Sequence, residues 1–325
     1  SFAIENFAVL LYAGNIHNTG GEMPSLISVL VREQIRLIKP LIGNLSIPRA
    51  RAFQDTLGDM EAKSVAGRVT FEPLLMDGFD ACFARPNEEK DSRRAILYLH
   101  GGAYVAGNLK YARGFAGILA DKTGQLVLSA AYRLAPEHPY PAALDDALAA
   151  YRFLLDKGWK PRRISFVGES AGGGLTYCLC LKLKQIGLPL PSALVGISPW
   201  TDLTFSGESY KTNMKKDPSL SEKALRRYAE LYARGQENDP LVSPIYGDLK
   251  GLPPSLLLAG SDELLRSDAE TLAARLVDSG CRCELLIEEG LWHVYVLYGV
   301  PAAHRALDTI ACFLERKNGR QNKHP

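Results

Sequence analysis

The residues from Gly168 to Gly172 have the pattern of a catalytic turn. They read Gly-Glu-Ser-Ala-Gly and lie between the apolar run Ile164 to Val167 and a helical pattern. A Gly-x-Ser-x-Gly turn in this position forces the serine into a strained conformation, and the glycines leave room for the neighbouring strand and helix. The sequence therefore predicts that Ser170 is held above a sheet, where its hydroxyl could act as a nucleophile.

A nucleophilic serine needs a general base, and the base needs a carboxylate that orients it. In hydrolases built on such a turn the chain order is serine, acid, histidine, so the candidates lie downstream. His293 follows a strand pattern that ends near Ile287, which places it at the carboxyl edge of the sheet. Asp262 and Glu263 both follow the apolar run Leu256 to Ala259 in the same way. The spacing alone leaves both open as the acid.

Serine catalysis also requires N–H groups that converge on the developing oxyanion. The loop after the apolar run Ala95 to Leu99 is rich in glycine, and the first residue after the nucleophile begins a helix. The candidate donors are the N–H groups of Gly101, Gly102, Ala103 and Ala171. His100 opens the loop and precedes the serine in the chain, so we interpret it as a residue that holds the loop by hydrogen bonds.

The elements that must position these residues alternate along most of the chain. The runs predicted as buried strands are Ala95 to Leu99, Leu126 to Ala130, Ile164 to Val167, Ala193 to Ile197, Leu256 to Ala259 and Cys283 to Ile287. The predicted helices are Ala142 to Asp156, Ala171 to Gln185, Asp268 to Asp278 and Pro301 to Leu314. Such alternation predicts an α/β fold with a mostly parallel sheet flanked by helices. Asp77-Gly78 lies between two strand-like runs and adds an antiparallel hairpin at the edge.

Two segments do not follow this alternation, and we expect them to form a helical cap over one end of the sheet. They are residues 1–60 and 202–235, and each is too small to bury its own core. The catalytic domain would then comprise residues 61–201 and 236–325. Candidate pocket residues beneath the cap are Tyr104, Trp200, Phe205, Tyr210, Met214 and Leu220. They predict an apolar pocket of limited volume, although each could instead pack between cap and sheet.

Composition excludes several other classes of protein. The chain has 325 residues, 46% hydrophobic and 23% charged, which is ordinary for a globular protein. Its net charge of +2 is too small to attract nucleic acid or an acidic membrane surface. We find no apolar stretch near the roughly 20 residues of a membrane span, and no signal peptide. The six cysteines lack zinc-ligand spacing, so we expect free thiols in the cytoplasm and no metal.

Six short blocks between about residues 70 and 315 together resemble the hormone-sensitive-lipase family of α/β-hydrolases, in particular its bacterial short-chain esterases and acetyl hydrolases. The blocks are residues 100–103, 132–139, 168–173, 198–203, 260–263 and 292–293. The resemblance implies an eight-stranded α/β-hydrolase sheet with a helical cap, no cofactor, and hydrolysis of short carboxylic esters. It also implies that Ser170 is the nucleophile, His293 the base and Asp262, rather than Glu263, the acid. Three positions depart from the family pattern: Ala103 replaces a glycine, Glu169 replaces a commoner aspartate, and Ala131 replaces an acidic residue that is frequent there.

We therefore expect a serine esterase that forms an acyl-enzyme intermediate, which water then hydrolyses. An acyltransferase would use the same residues, so that alternative stays open. A small-ligand receptor on the same fold is disfavoured, because the complete triad is present. The expected partners are a small-molecule ester and a second copy of the chain. The second copy would pair through the edge strand Arg282 to Ile287, which has no proline or lysine to block pairing.

Overall fold

A mixed sheet of eight strands lies at the centre of the protein. The structure, a computed structural model, describes residues 24–42 and 45–319. The strand order is β1-β2-β4-β3-β5-β6-β7-β8. The strands are β1 (Val69–Leu75), β2 (Asp80–Pro86), β3 (Ala95–Leu99), β4 (Leu126–Ala131), β5 (Ile164–Glu169), β6 (Ala193–Ile197), β7 (Ser255–Gly260) and β8 (Cys283–Glu288). This order confirms the predicted α/β-hydrolase sheet.

The apolar runs become strands because helices cover both faces of the sheet. Every residue of β3, β5, β6 and β7 is buried, which explains why these strands are continuously apolar rather than alternating. The six strands from β3 to β8 pair in parallel, whereas β2 pairs antiparallel with both β1 and β4. The Asp77-Gly78 hairpin is therefore present, and the sheet is mixed as expected.

Helices follow most of the strands. They are α1 (Leu26–Ile42), α2 (Ile47–Ser64), α3 (Leu109–Thr123), α4 (Ala142–Asp156), α5 (Ala171–Gln185), α6 (Ser209–Thr212), α7 (Glu222–Ala233), α8 (Arg266–Asp278) and α9 (Pro301–Gly319). The bounds of α4 and α5 are those predicted from the sequence. Short 3₁₀ turns precede β5, follow the inserted segment and follow His293.

The sequence pattern does not predict α3, although its ends carry clear signals. The Asn108 side chain caps the first turn by accepting hydrogen bonds from the N–H groups of Lys110 and Tyr111, and Gly124 ends the helix in the left-handed conformation. Glycines inside α3 lower its intrinsic propensity. They are needed where α2 and α3 cross: a Cβ atom on Gly114 would lie 2.6 Å from the Gly58 carbonyl oxygen.

The N-terminal helices and the inserted segment lie over the carboxyl ends of the strands. Val31 and Ile35 bury one face of α1 against the core. On the same helix, the Lys39 ammonium donates a hydrogen bond of 2.6 Å to the carbonyl of Asp217, in the inserted segment. Residues 1–23 of the predicted N-terminal cap part lie outside the described residues, and the division into cap and catalytic domain stays a prediction. No helix in the described part of the chain is both long and apolar enough to cross a membrane.

Candidate active site

Ser170 occupies the sharp turn that the sequence predicts between β5 and α5. Its φ of 55° and ψ of −123° are strained for a residue with a side chain. The Ser170 N–H donates to the carbonyl of Ile197, 2.9 Å away, which fixes the turn against the next strand. A Cβ atom on Gly172 would lie 2.0 Å from the carbonyl oxygen of Leu99. The second glycine of the motif is therefore required by the close approach of α5 to β3.

His293 lies directly against Ser170. Its Nε2 is 2.9 Å from Ser170 Oγ, and both side chains are largely buried. The loop that carries it follows β8, as predicted, and is held by the next residue: the N–H of Val294 donates to Ser198 Oγ at 2.9 Å. Val294 has a φ of 50°, a conformation that a β-branched residue adopts only when its surroundings impose it. The serine and histidine predicted from the sequence are thus in hydrogen-bonding contact.

The carboxylate beside His293 belongs to Glu263, whereas the resemblance implied Asp262 in that place. Oε2 of Glu263 is 3.9 Å from His293 Nδ1, and Glu263 has no exposed surface. This distance is too long for a hydrogen bond. The same oxygen accepts a hydrogen bond of 2.7 Å from the Ser198 hydroxyl and one of 3.2 Å from the N–H of Gly260. Within the described part of the chain, neither His293 Nδ1 nor Glu263 Oε1 has a hydrogen-bond partner.

Asp262 points instead toward the N-terminal helix α1. Its carboxylate forms an ion pair of 2.7 Å with Arg32. Arg32 also donates hydrogen bonds to the carbonyls of Gly290 and Lys216, at 2.9 and 3.1 Å. The turn after β7 explains why Glu263, and not Asp262, lies beside His293, because consecutive side chains leave a tight turn in different directions. Glu263 faces the core, and Asp262 binds the cap.

The glycine-rich loop after β3 lies beside Ser170. Gly102 and Ala103 line the same pocket as Ser170, and both have positive φ, 107° and 53°. Gly101 does not line the pocket, and it packs closely against the buried Glu169: a Cβ atom on Gly101 would lie 1.9 Å from Glu169 Oε2. Ala171 begins α5 directly after the nucleophile and is fully buried. Of the four expected oxyanion donors, Gly102 and Ala103 line the pocket, and Gly101 and Ala171 lie next to the residues that do.

His100 stabilises the loop from within the core. Its Nδ1 is 2.7 Å from the carbonyl oxygen of Gly101, and its ring stacks on that of Tyr132 with centroids 4.2 Å apart. The Tyr132 hydroxyl donates to the carbonyl of His100. Burial lowers the pKa of His100 to about 4, so the ring is neutral at physiological pH. These contacts agree with the interpretation of His100 as a residue that holds the loop.

A pocket of about 250 Å³ opens onto Ser170 and His293. Its walls come from α1, α2, the start of α7 and the segment before α7, and they are mostly apolar. Of the six pocket residues predicted from the sequence, Leu220 lines this pocket. Tyr104, Trp200 and Tyr210 are buried in the core, Phe205 is packed against the core, and Met214 is exposed on the inserted segment. The pocket side chains missed by the sequence include Ile35, Ile38, Phe53, Leu57 and Tyr228.

The sequence failed to predict these pocket residues for one reason. They lie on helices whose apolar positions are predicted equally well as core, and no local signal distinguishes a side chain that faces a pocket from one that faces a sheet. Within the described ranges, no group of three or more histidine, cysteine or acidic side chains is placed to hold a metal ion.

A strained serine after a parallel strand, in contact with a histidine from the loop after the last strand, defines the class of α/β hydrolases. The family model of the alpha/beta hydrolase fold matches residues 96–297. The chain belongs to this family, and the resemblance recognised in the sequence is confirmed. The predictions of an enzyme and of its hydrolase class are confirmed with it.

Two bacterial proteins are similar in sequence to about 70% of the chain. An acetyl-hydrolase from Streptomyces hygroscopicus is 41% identical over 229 residues, which cover 70% of this chain and 77% of that protein. An esterase from Acinetobacter venetianus is 37% identical over 229 residues, covering 69% of this chain and 76% of that protein.

Solved structures of esterases are similar to this protein over more of its length than the two named relatives are. The crystal structure of EstE5 has a TM-score of 0.86 and 32% identity, and covers 93% of this chain and all of that one. An esterase from the bacterial hormone-sensitive lipase family has a TM-score of 0.82 and 33% identity, and covers 98% of this chain and 99% of that one.

Proposed function

We propose that the protein is a serine carboxylesterase that hydrolyses short-chain carboxylic esters through an acyl-enzyme intermediate. The observation that carries this proposal is the 2.9 Å contact between Ser170 Oγ and His293 Nε2 at a strained turn that opens into a pocket. The similarity to proteins named esterase and acetyl-hydrolase supports the same class of substrate.

The reaction begins when Ser170 Oγ attacks the ester carbonyl carbon and His293 Nε2 accepts the hydroxyl proton. The carbonyl oxygen becomes an oxyanion, for which the N–H groups of Gly102, Ala103 and Ala171 are the proposed donors. The intermediate collapses, the bond to the alcohol breaks, and His293 returns the proton to the leaving alkoxide. Water, activated by His293, then attacks the acyl-enzyme, and Ser170 recovers its proton as the acid leaves.

Glu263 is the proposed acid of the triad. A carboxylate at Nδ1 holds the imidazole in the tautomer that leaves Nε2 free to accept a proton, and stabilises the imidazolium that follows. The gap of 3.9 Å is of the kind that closes when substrate binds, because catalytic hydrogen bonds are often loose in the free enzyme. Ser198 supports this role, since its hydroxyl contacts both the Glu263 carboxylate and the backbone next to His293.

The size of the pocket supports a preference for short acyl chains. A volume of about 250 Å³ lies below the usual range for drug-sized ligands, which begins near 300 Å³. The walls that would have to part for a longer chain are α1, α2 and α7. We therefore expect kcat/KM for p-nitrophenyl esters to be highest between about two and six carbons and to fall beyond that length.

Trapping of the acyl-enzyme tests the mechanism. The protein is mixed with p-nitrophenyl butyrate, quenched in acid within milliseconds and measured by mass spectrometry. We expect one butyryl group on the peptide that contains Ser170, and none on the Ser170→Ala variant, whose turnover should fall on the order of a millionfold. Unlabelled Ser170 during steady turnover, or a variant that keeps more than about a hundredth of the rate, would contradict the proposal.

A further inference from the structure

The turn that carries Glu263 is held by side chains of the inserted segment. This turn comprises residues 261–264 and follows β7, and we call it the acid turn. Two side chains of the inserted segment contact its backbone, those of Asn213 and Asp217. Each of them is only 2% exposed, so the contacts lie in the interior of the protein. The mechanism above gives neither residue a role.

Asn213 binds the acid turn through both N–H groups of its side-chain amide. Its Nδ2 donates hydrogen bonds of 2.9 Å to the carbonyl of Ser261 and to that of Glu263. An amide NH₂ group has two donors, so both are used in these contacts. A buried polar group that loses its partner costs about 1–3 kcal/mol, and this one side chain provides a partner for two carbonyls.

Asp217 joins the same turn to the wall of the pocket. Its Oδ2 accepts a hydrogen bond of 2.9 Å from the N–H of Leu264. Its Oδ1 accepts from the N–H groups of Ser219 and Leu220 at 2.7 and 2.9 Å, and from the Ser219 hydroxyl at 2.8 Å. Ser219 and Leu220 line the pocket. The carboxylate therefore connects a pocket wall to the residue that follows Glu263.

Two peptide groups of the acid turn are each held at both ends. The first joins Ser261 to Asp262. Its carbonyl accepts from Asn213, and its N–H donates to the carbonyl of Leu291, 3.0 Å away. The second follows Glu263: its carbonyl also accepts from Asn213, and its N–H donates to the aspartate just described. A peptide group is planar, so contacts at both ends fix its orientation and thereby the directions in which the side chains between the two groups leave the turn.

We propose that Asn213 and Asp217 are positioning residues, which direct the carboxylate of Glu263 toward His293. This inference rests on the proposed esterase function. Both residues act through the backbone of the acid turn, because their hydrogen bonds to the turn end on its peptide groups. The inserted segment then has two tasks: it forms part of the pocket wall, and it orients the acid of the triad.

Substitution of Asn213 by leucine removes both hydrogen bonds at nearly constant size. The two carbonyls lose their donor, and the acid turn is released to move the Glu263 carboxylate away from His293. We expect kcat for p-nitrophenyl butyrate to fall by about 10- to 100-fold, the scale of a misplaced catalytic group. KM should change less than about threefold, because the lost contacts orient the acid and do not bind the substrate.

The same substitution in the Glu263→Gln background separates positioning from stability. If Asn213 acts through the Glu263 carboxylate, Asn213→Leu should change kcat of the Glu263→Gln enzyme by less than about threefold. A residue that only stabilises the fold would lower kcat by the same factor in both backgrounds, because independent effects add in free energy. Equal factors in the two backgrounds, or a wild-type kcat for Asn213→Leu alone, would overturn the proposal.

Asp217→Asn tests the role from the other contact, and it carries the test if Asn213→Leu does not fold. Three donors converge on Oδ1, so the amide oxygen should stay there, and the NH₂ group then faces the N–H of Leu264, donor against donor. We expect kcat to fall by about tenfold in the wild-type background and by less than about threefold in the Glu263→Gln background. The same loss in both backgrounds would contradict a role in positioning.

Asp202→Asn is the matched control, because Asp202 is a second aspartate of the inserted segment that is 2% exposed. Its carboxylate accepts hydrogen bonds from Thr204, Ser206 and Tyr246, which lie outside the acid turn. This variant should lower Tm as Asp217→Asn does, with kcat within about twofold of wild type. A loss of kcat as large as that of Asp217→Asn would mean that any weakening of the segment impairs catalysis, and it would refute a specific role for Asp217.

Ser170→Ala and Glu263→Gln separate this inference from the proposed function. An active Ser170→Ala enzyme refutes the esterase mechanism, and a Glu263→Gln enzyme with wild-type kcat refutes the assignment of the acid. If both variants are inactive while Asn213→Leu keeps its full kcat, only the positioning role is refuted.

Discussion

The proposed acid can be tested by a matched pair of substitutions at neighbouring positions, Glu263→Gln and Asp262→Asn. Each replaces a carboxylate by an amide of the same size. Glu263 is fully buried beside His293, and its amide would neither orient the imidazole nor stabilise the imidazolium. In a comparable triad this change costs about 10⁴ in kcat, which corresponds to about 5.4 kcal/mol of transition-state stabilisation.

Asp262→Asn should behave differently, because Asp262 pairs with Arg32 rather than with the imidazole. The pair is partly buried, and a hydrogen bond to a charged group contributes about 2 kcal/mol to stability. For a chain of this length that loss lowers Tm by about 3 °C. We expect kcat to remain within about tenfold of wild type, since the triad is intact.

We would compare the two variants by their initial rates with p-nitrophenyl acetate at pH 8 and by their Tm values from calorimetry. The ratio of the two kcat values should exceed about 10³ in favour of Asp262→Asn. Comparable losses in both variants would mean that the two carboxylates act as a unit. The reverse order would refute the assignment of Glu263 and restore Asp262 as the acid.

Two further predictions concern stability and assembly. Folding raises the pKa of Glu169 from its ordinary 4.5 to about 7, so its ionisation opposes folding; the cost is absent below about pH 4.5 and complete above about pH 7. The Tm of Glu169→Gln minus that of wild type should therefore rise across this range, and a flat difference would contradict the buried charge. Among the strands that the structure describes, β8 pairs only with β7, so we expect an antiparallel dimer through it. Light scattering should give twice 35.6 kDa, reduced to the monomer mass by Leu285→Pro; a monomer mass for the wild type would exclude the dimer.

The sheet was predictable because burial on both faces leaves a signal in every strand. An apolar run such as Ala193 to Ile197 has no polar position at all, and only a strand covered by helices on both sides requires that pattern. The strained turn that carries Ser170, the proposed nucleophile, was predictable for a similar reason. The turn around Ser170 needs glycine at Gly168 and Gly172 because the backbone passes within van der Waals contact of other strands and helices, and a constraint of that kind is visible in the residue types.

The placement of Glu263, the proposed acid, beside His293 was not predictable, because both candidates satisfy every local requirement. Asp262 and Glu263 carry the same group, follow the same strand and differ only in the direction in which a turn points them. Arg32 holds Asp262 from 230 positions earlier in the chain, and Ser198 holds Glu263 from another loop. No periodicity or motif records these pairings. The ion pair between Asp262 and Arg32 fastens α1 to the loops that carry Glu263 and His293. Because α1 forms one wall of the pocket, that wall is joined directly to the loops of the proposed acid and base.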